Sequence, residues 1–286
     1  YDINLKSYRL SKLTTHKNFT FIKIDISKTK SIFSIFETYT PDLVINLAAQ
    51  AGVRYSIENP KKYFDSNVHG FFNILEACKI FKPKLLLYAS SSSVYGDVNE
   101  VPYNVTDNTN SPESFYAATK KCNELMSVPY SKIYGLNSIG LRFFTVYGPL
   151  GRPDMAPWLF TKAIMNDNAI NIYNNGDMSR DFTFIDDIVN GLFLILKNFS
   201  YDKTSINKIY NIGFGGPVHL LEFIETLESY LNKKAIRNYM PFQEGDVHKT
   251  FADISSFKTD YSYQPTTDIK IGLEKWVKWY KIYHRK

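Results

Sequence analysis

The sequence predicts an α/β protein built on a wound parallel sheet, on three observations. Short uninterrupted apolar runs, suited to strands buried on both faces, recur at 19–24, 43–48, 85–89, 139–143 and 209–212. Longer segments with helical periodicity lie between the earlier runs, at 31–39, 63–81 and 115–134. Strands that alternate with helices in this way pair in parallel through right-handed crossovers. Finally, 286 residues with 44% hydrophobic and 16% aromatic content can bury a sizeable core, as one large domain or two small ones.

In chain order, residues 1–17 are polar and read as a loop or short helix. The run 19–24 ends at Asp25, which can cap the helix that follows Ser27 or face a ligand. The run 43–48 ends in Ala48-Ala49-Gln50, small residues that let backbone approach a bound group. The run 85–89 leads into Ser90-Ser91-Ser92-Ser93-Val94-Tyr95-Gly96. The helix 115–134 contains Pro129, expected to kink it nine residues past Lys120 and to spare its first turns. After 139–143 come turns at Pro149, Pro153 and Pro157. Helices at 158–165, 185–197, 220–231 and 269–283 and a hairpin-like 170–177 follow. The run 209–212 returns to the main sheet, and no repeat or low-complexity segment interrupts the pattern.

The net charge of +6 raises nucleic acid as a partner. The lysines are scattered, however, with short clusters only at 61–62, 120–121 and 233–234, and no nucleic-acid module is recognisable. A mildly positive surface equally suits small anionic ligands. No apolar run approaches the roughly 18 residues that span a bilayer. Cys78 and Cys122 fall in helical patterns and form neither a disulfide framework nor a metal spacing, which suits a reducing cytoplasm.

The chemistry centres on Tyr116 and Lys120, four residues apart and therefore on one helix face. An ammonium near a phenol favours the phenolate, so Tyr116 is expected to act as a general base below its solution pKa of about 10. A serine hydroxyl at the end of the preceding strand can bridge Tyr116 and a substrate oxygen. The competing reading, from spacing alone, is a surface Tyr/Lys pair beside a buried strand.

Tyr-x-x-x-Lys after Ser-Ser-Ser-x-Val-Tyr-Gly resembles the extended short-chain dehydrogenase/reductases that act on nucleotide sugars. The likeness continues through 48–56 (AAQAGVRYS), 141–149 (LRFFTVYGP), 151–156 (GRPDMA) and 180–187 (RDFTFIDD). Together these segments resemble bacterial UDP-glucuronate 4-epimerases over nearly the whole chain. The resemblance implies a Rossmann-type doubly wound sheet with a smaller C-terminal substrate-binding lobe. The NAD-binding domain spans 1–147, with 180–215 returning to it, and the lobe spans 148–179 and 216–286. The first glycine is Gly52, whereas the family carries a glycine-rich pyrophosphate turn near its N-terminus. On the resemblance, the sequence starts inside the family's first domain, without its first two strands, and the NAD site is expected to be compromised.

The resemblance also implies roles. Tyr116, Lys120 and Ser91 are catalytic. Tyr116 takes the proton of the sugar 4-hydroxyl, Lys120 lowers the Tyr116 pKa and holds the nicotinamide ribose, and Ser91 polarises the same sugar oxygen. The resulting 4-keto sugar turns over in the site, and NAD stays bound. Asp25, Ile26, Ala48, Ala49, Gln50, Asn67, Phe143 and Val146, with Tyr116 and Lys120, contact the cofactor, NAD. Gly52, Val53, Arg54, Ser91, Ser92, Ser93, Thr145 and Arg152 line the sugar, Arg180 pairs with the UDP diphosphate, and Asp246 contacts a ribose. No metal is implied.

Related decarboxylases carry a glutamate immediately before Val-Tyr-Gly. Here Ser93 stands there, which argues against decarboxylation and dehydration. The implied activity is C4 epimerisation of a UDP-sugar, UDP-glucuronate to UDP-galacturonate, for surface polysaccharide, in a cytoplasmic homodimer that contacts through 63–81 and 115–134. The alternatives are a truncated, inactive paralogue that only binds UDP-sugar, or a related UDP-hexose or UDP-N-acetylhexosamine 4-epimerase.

Overall fold

The computed structural model describes residues 1–96, 100–199, 206–242 and 247–285. Helix α1 (Ile3–Leu13) opens the chain, started by the Asp2 carboxylate, which accepts from the Asn4 N–H. Helix α2 (Thr29–Tyr39) and strand β1 (Leu43–Asn46) follow. Next come α3 (Val53–Glu58), α4 (Pro60–Tyr63), a π-helical turn at Phe64–His69 and α5 (Gly70–Phe81). Strand β2 (Leu85–Ser91) runs into a 3₁₀ turn, Ser92–Tyr95, and then α6 (Phe115–Tyr134). Strands β3 (Ser138–Phe143) and β4 (Thr145–Tyr147) precede α7 (Ala156–Met165). Strands β5 (Ala169–Ile172), β6 (Ser179–Arg180) and β7 (Phe182–Phe184) lead to α8 (Ile185–Asn198). Strands β8 (Asn207–Ile212) and β9 (Val218–His219), helix α9 (Leu220–Leu231) and strand β10 (Ile236–Tyr239) come next. Helices α10 (Ser255–Tyr261) and α11 (Ile269–His284) close the described chain.

The centre is a four-stranded sheet in the order β1-β2-β3-β8, parallel throughout. Ile32, Phe36, Phe71 and Leu75, from α2 and α5, cover one face. Ile188 and Ile195 from α8 and Phe257 from α10 cover the other. Leu85, Leu86 and Leu87 of β2 are at most 1% exposed, and each such burial contributes about 2 kcal/mol. Register aligns Ser91 with Phe143 and Phe143 with Ile212, so the strands end level at their carboxyl edge. In an open parallel sheet that edge is where ligands bind.

A second core lies beyond that edge. Trp158, Trp276, Phe182, Phe184, Phe223 and Leu273 pack together, and the Trp276 indole N–H donates to Thr161 Oγ1 at 2.8 Å. Leu5 of α1, 1% exposed, is buried in this core, so α1 docks on the far lobe.

Two expectations need correction. Residues 19–24 form no strand: among the described residues none pairs with them, and Phe21 stays 54% exposed. Apolar composition makes a strand only when a neighbour supplies the partner N–H and C=O groups. The hairpin at 170–177 is absent, because β5 pairs in parallel with β10 and Asn174 and Asn175 turn the chain at positive φ. Pro129 lies on the exposed side of α6, which runs on to Tyr134 as expected.

Candidate active site

Helix α6 carries the central pair and is fixed at its start. The Ser114 hydroxyl accepts from the Ala117 N–H at 3.1 Å, a side-chain cap that satisfies one of the first turn's free donors. The Tyr116 N–H donates to Ser56 Oγ of α3 at 3.2 Å. The Tyr63 ring meets the Tyr116 ring edge-on, centroids 6.0 Å apart. The Tyr63 hydroxyl donates to the Gly52 carbonyl at 2.6 Å, with Ala51 O at 3.1 Å. Gly52 itself sits at φ 104°, a conformation that favours glycine.

Lys120, 3% exposed, donates from Nζ to the Ala89 carbonyl of β2 at 2.6 Å. Burial pulls its pKa down to about 8. Ser91, two residues further along β2, accepts from the Ser93 N–H at 3.1 Å and lies 3.2 Å from Ser93 Oγ. A buried ion pair supports this strand end from below. Arg142 of β3 holds Glu124 of α6 through two bonds of 2.8 Å, and Glu124 accepts from Ser90 Oγ at 2.7 Å. Breaking such a bidentate pair leaves an uncompensated buried charge, at a cost of about 3–5 kcal/mol, so β2, β3 and α6 hold one relative position.

The Tyr116 phenol lies above its ordinary value, not below it as expected. Burial pushes the phenol above its ordinary value; hydrogen bonding to Ser91 and then the charge of Arg152 pull the other way. Lys120 is turned to the Ala89 carbonyl, and its own charged form is disfavoured by the same burial. Arg152, from the loop after β4, is a cation whose charge favours the ionised phenol.

Around this centre the sequence-derived residues divide. Asn67, 2% exposed in the π-helical turn, accepts from the Gln50 N–H at 2.7 Å and donates to the Gln50 carbonyl at 2.9 Å. It also donates to Thr119 Oγ1 at 3.0 Å, so it ties the loop after β1, with Ala48 and Ala49, to α6. Arg152 pairs with Asp154, through Nε at 3.0 Å and through Nη2. The same Nη2 lies 3.7 Å from where a side chain on Gly52 would begin. Thr145 opens β4, its N–H donating to the Asp181 carbonyl at 3.0 Å. Ser92 and Ser93 lie in the turn after β2, and Val53 opens α3.

Other candidates are engaged away from this cluster. Asp25 is exposed and accepts from the Ser27 N–H at 2.9 Å, which holds its carboxyl below the usual range; it does not cap α2. Ile26 packs its side chain on Gly70, and its carbonyl accepts from Asn73 at 2.9 Å. Phe143 and Val146 pack into the core on the α8 face of the sheet. Arg54 lies over the Tyr173 ring, and Arg180 donates to the Ser179 and His248 carbonyls. Asp246 lies outside the described residues.

The nicotinamide half of a dinucleotide fits what is present. Small residues at the end of β1, a backbone loop clamped by Asn67 and a buried lysine reaching β2 supply small side chains and a donor there. The pyrophosphate half needs a glycine-rich turn, and this sequence has no glycine before Gly52. Among the described residues no cluster of His, Cys, Asp and Glu could hold a metal, and no helix is long and apolar enough to cross a membrane.

A parallel sheet with Tyr, Lys and Ser gathered at its carboxyl edge, opposite a second lobe, defines a dinucleotide-dependent α/β scaffold. The chain belongs to the NAD dependent epimerase/dehydratase family, whose model matches residues 4–213. It is 47% identical to Protein CapI of Staphylococcus aureus over 100% of this chain and 89% of that protein. To the UDP-glucuronate 4-epimerase of Thermodesulfobacterium geofontis it is 44% identical, over 98% of this chain and 85% of that one. The UDP-glucuronic acid 4-epimerase of Bacillus cereus, solved with UDP-glucuronic acid and NAD, superposes at TM-score 0.90 with 33% identity. That match covers 98% of this chain and 87% of the other.

Sequence reasoning passed over Ser56, Tyr63, Thr119 and the Glu124–Arg142 pair. With 21 tyrosines in the chain, nothing local marks Tyr63. Glu124 carried a signal, since a carboxylate one turn beyond Lys120 faces the same strand.

Proposed function

We propose that this chain catalyses NAD-dependent epimerisation at C4 of a UDP-sugar, converting UDP-glucuronate to UDP-galacturonate. The observation that carries the reading is the convergence of Ser91, Tyr116 and Arg152 at one strand edge, in a chain 44% identical to a protein named for that reaction. NAD supplies the hydride acceptor and donor, held by the loop 48–50, Asn67 and Lys120. Tyr116 accepts the proton of the sugar 4-hydroxyl and returns it to the 4-keto sugar's oxygen, while Ser91 donates to that oxygen. Arg152 makes the phenol a better proton acceptor by favouring its ionised form. Thr145, Ser92 and Ser93 hold the sugar carboxylate, and this restraint keeps the 4-keto intermediate, a β-keto acid, from losing CO2. Gly52, Val53 and Arg54 flank the sugar, Arg180 takes the diphosphate and Asp246 the ribose. Asp25 and Ile26 bound the adenine side, and Phe143 and Val146 back the nicotinamide.

The finer parts of the reading are a supply of galacturonate for surface polysaccharide, a cytoplasmic location and a homodimer. The dimer rests on apolar side chains left exposed on α5 and α6: Phe72 at 43%, Leu125 at 59% and Ile133 at 70%. Incubation with UDP-glucuronate and NAD, with products separated by anion exchange, tests the reaction. UDP-galacturonate without pentose supports it, and UDP-pentose as the main product contradicts it. Conversion of UDP-N-acetylglucosamine but not UDP-glucuronate would move the substrate assignment to a related 4-epimerase.

A further inference from the structure

Loop 148–154, which presents Arg152, combines bonds within the loop with one to a distant helix. Gly148 sits at φ 142°, where a side chain would strike Ile185 at 2.5 Å. Leu150 sits at φ 63°, a left-handed conformation uncommon for a leucine. Strained backbone of this kind persists only where its surroundings over-determine it. Inside the loop the Gly151 N–H donates to the Gly148 carbonyl at 3.0 Å, and the Leu150 side chain packs on the lobe core. A further hold comes from the far end of the sequence: Arg9 Nη2 of α1 donates to the Gly151 carbonyl at 3.0 Å.

Arg9 is itself aimed. Its Nη1 donates to the Tyr1 hydroxyl at 2.5 Å and its guanidinium lies over the Tyr1 ring. Its Nε is buried with no hydrogen-bond partner, a group that normally finds one. Leaving that donor unsatisfied costs free energy, so the side chain is placed by its bond to Gly151 and not by its own solvation. Leu5 in the lobe core and Tyr8, edge-on to Tyr283 at 5.1 Å, hold α1 against the lobe. The next residue after Gly151 is Arg152, whose guanidinium is clamped by Asp154 beside Gly52.

We infer that Arg9 is a positioning residue for the sugar site. By fixing the Gly151 carbonyl it sets the strained loop that delivers the Arg152 guanidinium to the sugar beside Tyr116. This rests on the function proposed above and adds a determinant outside the site, 142 residues before Gly151 in sequence.

The test is a double-mutant cycle on the whole chain with Arg9→Gln, Arg152→Gln and the pair, read by UDP-glucuronate turnover with NAD and by calorimetric binding of UDP-glucuronate and of UDP. Arg9→Gln is expected to raise the KM and Kd for UDP-glucuronate about tenfold and to move the rising limb of the activity–pH profile in the same direction as Arg152→Gln, with the Kd for UDP unchanged. In the Arg152→Gln background it is expected to add nothing. Arg9→Lys, which keeps one donor to Gly151, is expected to recover part of the loss. Additive losses, or equal weakening of UDP and UDP-glucuronate, overturn the assignment of Arg9. Absence of UDP-glucuronate turnover by the unmodified chain overturns instead the function on which it rests.

Discussion

The two cations of the site lie in contrasting regions. Lys120 stands in the middle of a long helix, 3% exposed, facing the sheet. Arg152 stands on a strained surface loop, its side chain 34% exposed and paired with Asp154. Sequence logic gives the electrostatic task to Lys120, the nearer residue in the chain. In the structure burial raises the Tyr116 phenol, Ser91 and then Arg152 pull it down, and Lys120 bonds a backbone carbonyl. A rigid, buried position suits holding a ligand, whereas a charge that must favour an anion can sit where water also stabilises it. The difference also shows in cost. An ammonium whose pKa falls from 10.5 to about 8 is destabilised by about 3 kcal/mol in its charged form, since each pKa unit is about 1.4 kcal/mol.

Tyr116→Phe tests the point where the two regions meet. It removes the proton acceptor and keeps the ring against Tyr63, so kcat is expected to fall about 10³-fold with the melting temperature nearly unchanged. A loss below about tenfold in single-turnover assays would assign the proton elsewhere. Lys120→Met separates cofactor holding from stability: NAD retention on gel filtration is expected to drop sharply. The melting temperature at neutral pH should hold or rise, because a buried charge disappears and the lost bond to Ala89 offsets only about 1–3 kcal/mol. A large fall in melting temperature would show that the ammonium supports the fold.

Arg152→Gln sharpens the contrast through pH. Removing a positive charge raises the Tyr116 pKa further, so the limb on which activity rises with pH should move to higher pH. An unmoved limb would return the electrostatic task to Lys120. The smallest effect is on stability. Between pH 8 and 10.5 the unfolded chain keeps the Lys120 proton that the folded chain has lost. Unfolding free energy from this group therefore rises with pH across that window, by at most about 1.4 kcal/mol per unit. Urea titrations at pH 8 and pH 10 should show this gain in the native chain and not in Lys120→Met.

Much of this was legible in the sequence. The helices near 31–39, 115–134 and 220–231, and four of the five strands, follow from period and composition, because each finds its neighbours within the chain. Residues 19–24 have a strand's composition and no partner among the described residues, and pairing is not written in a single segment. Tyr116, Lys120 and Ser91 could be singled out because they lie in one short stretch. Arg9 and the Glu124–Arg142 pair act across 142 and 18 residues, which no local pattern records. Lys120 and Arg152 were both found, but burial and hydrogen-bond partners, which divide their roles, exist only in the folded chain.

The most direct test of the central claim uses UDP-glucuronate carrying deuterium at C4, followed by NMR with the unmodified chain and NAD. The label should be retained at C4 of the UDP-galacturonate formed, because hydride leaves and returns within one site while Tyr116 handles only the hydroxyl proton. Product with hydrogen from water at C4, or no epimer at all, would contradict it.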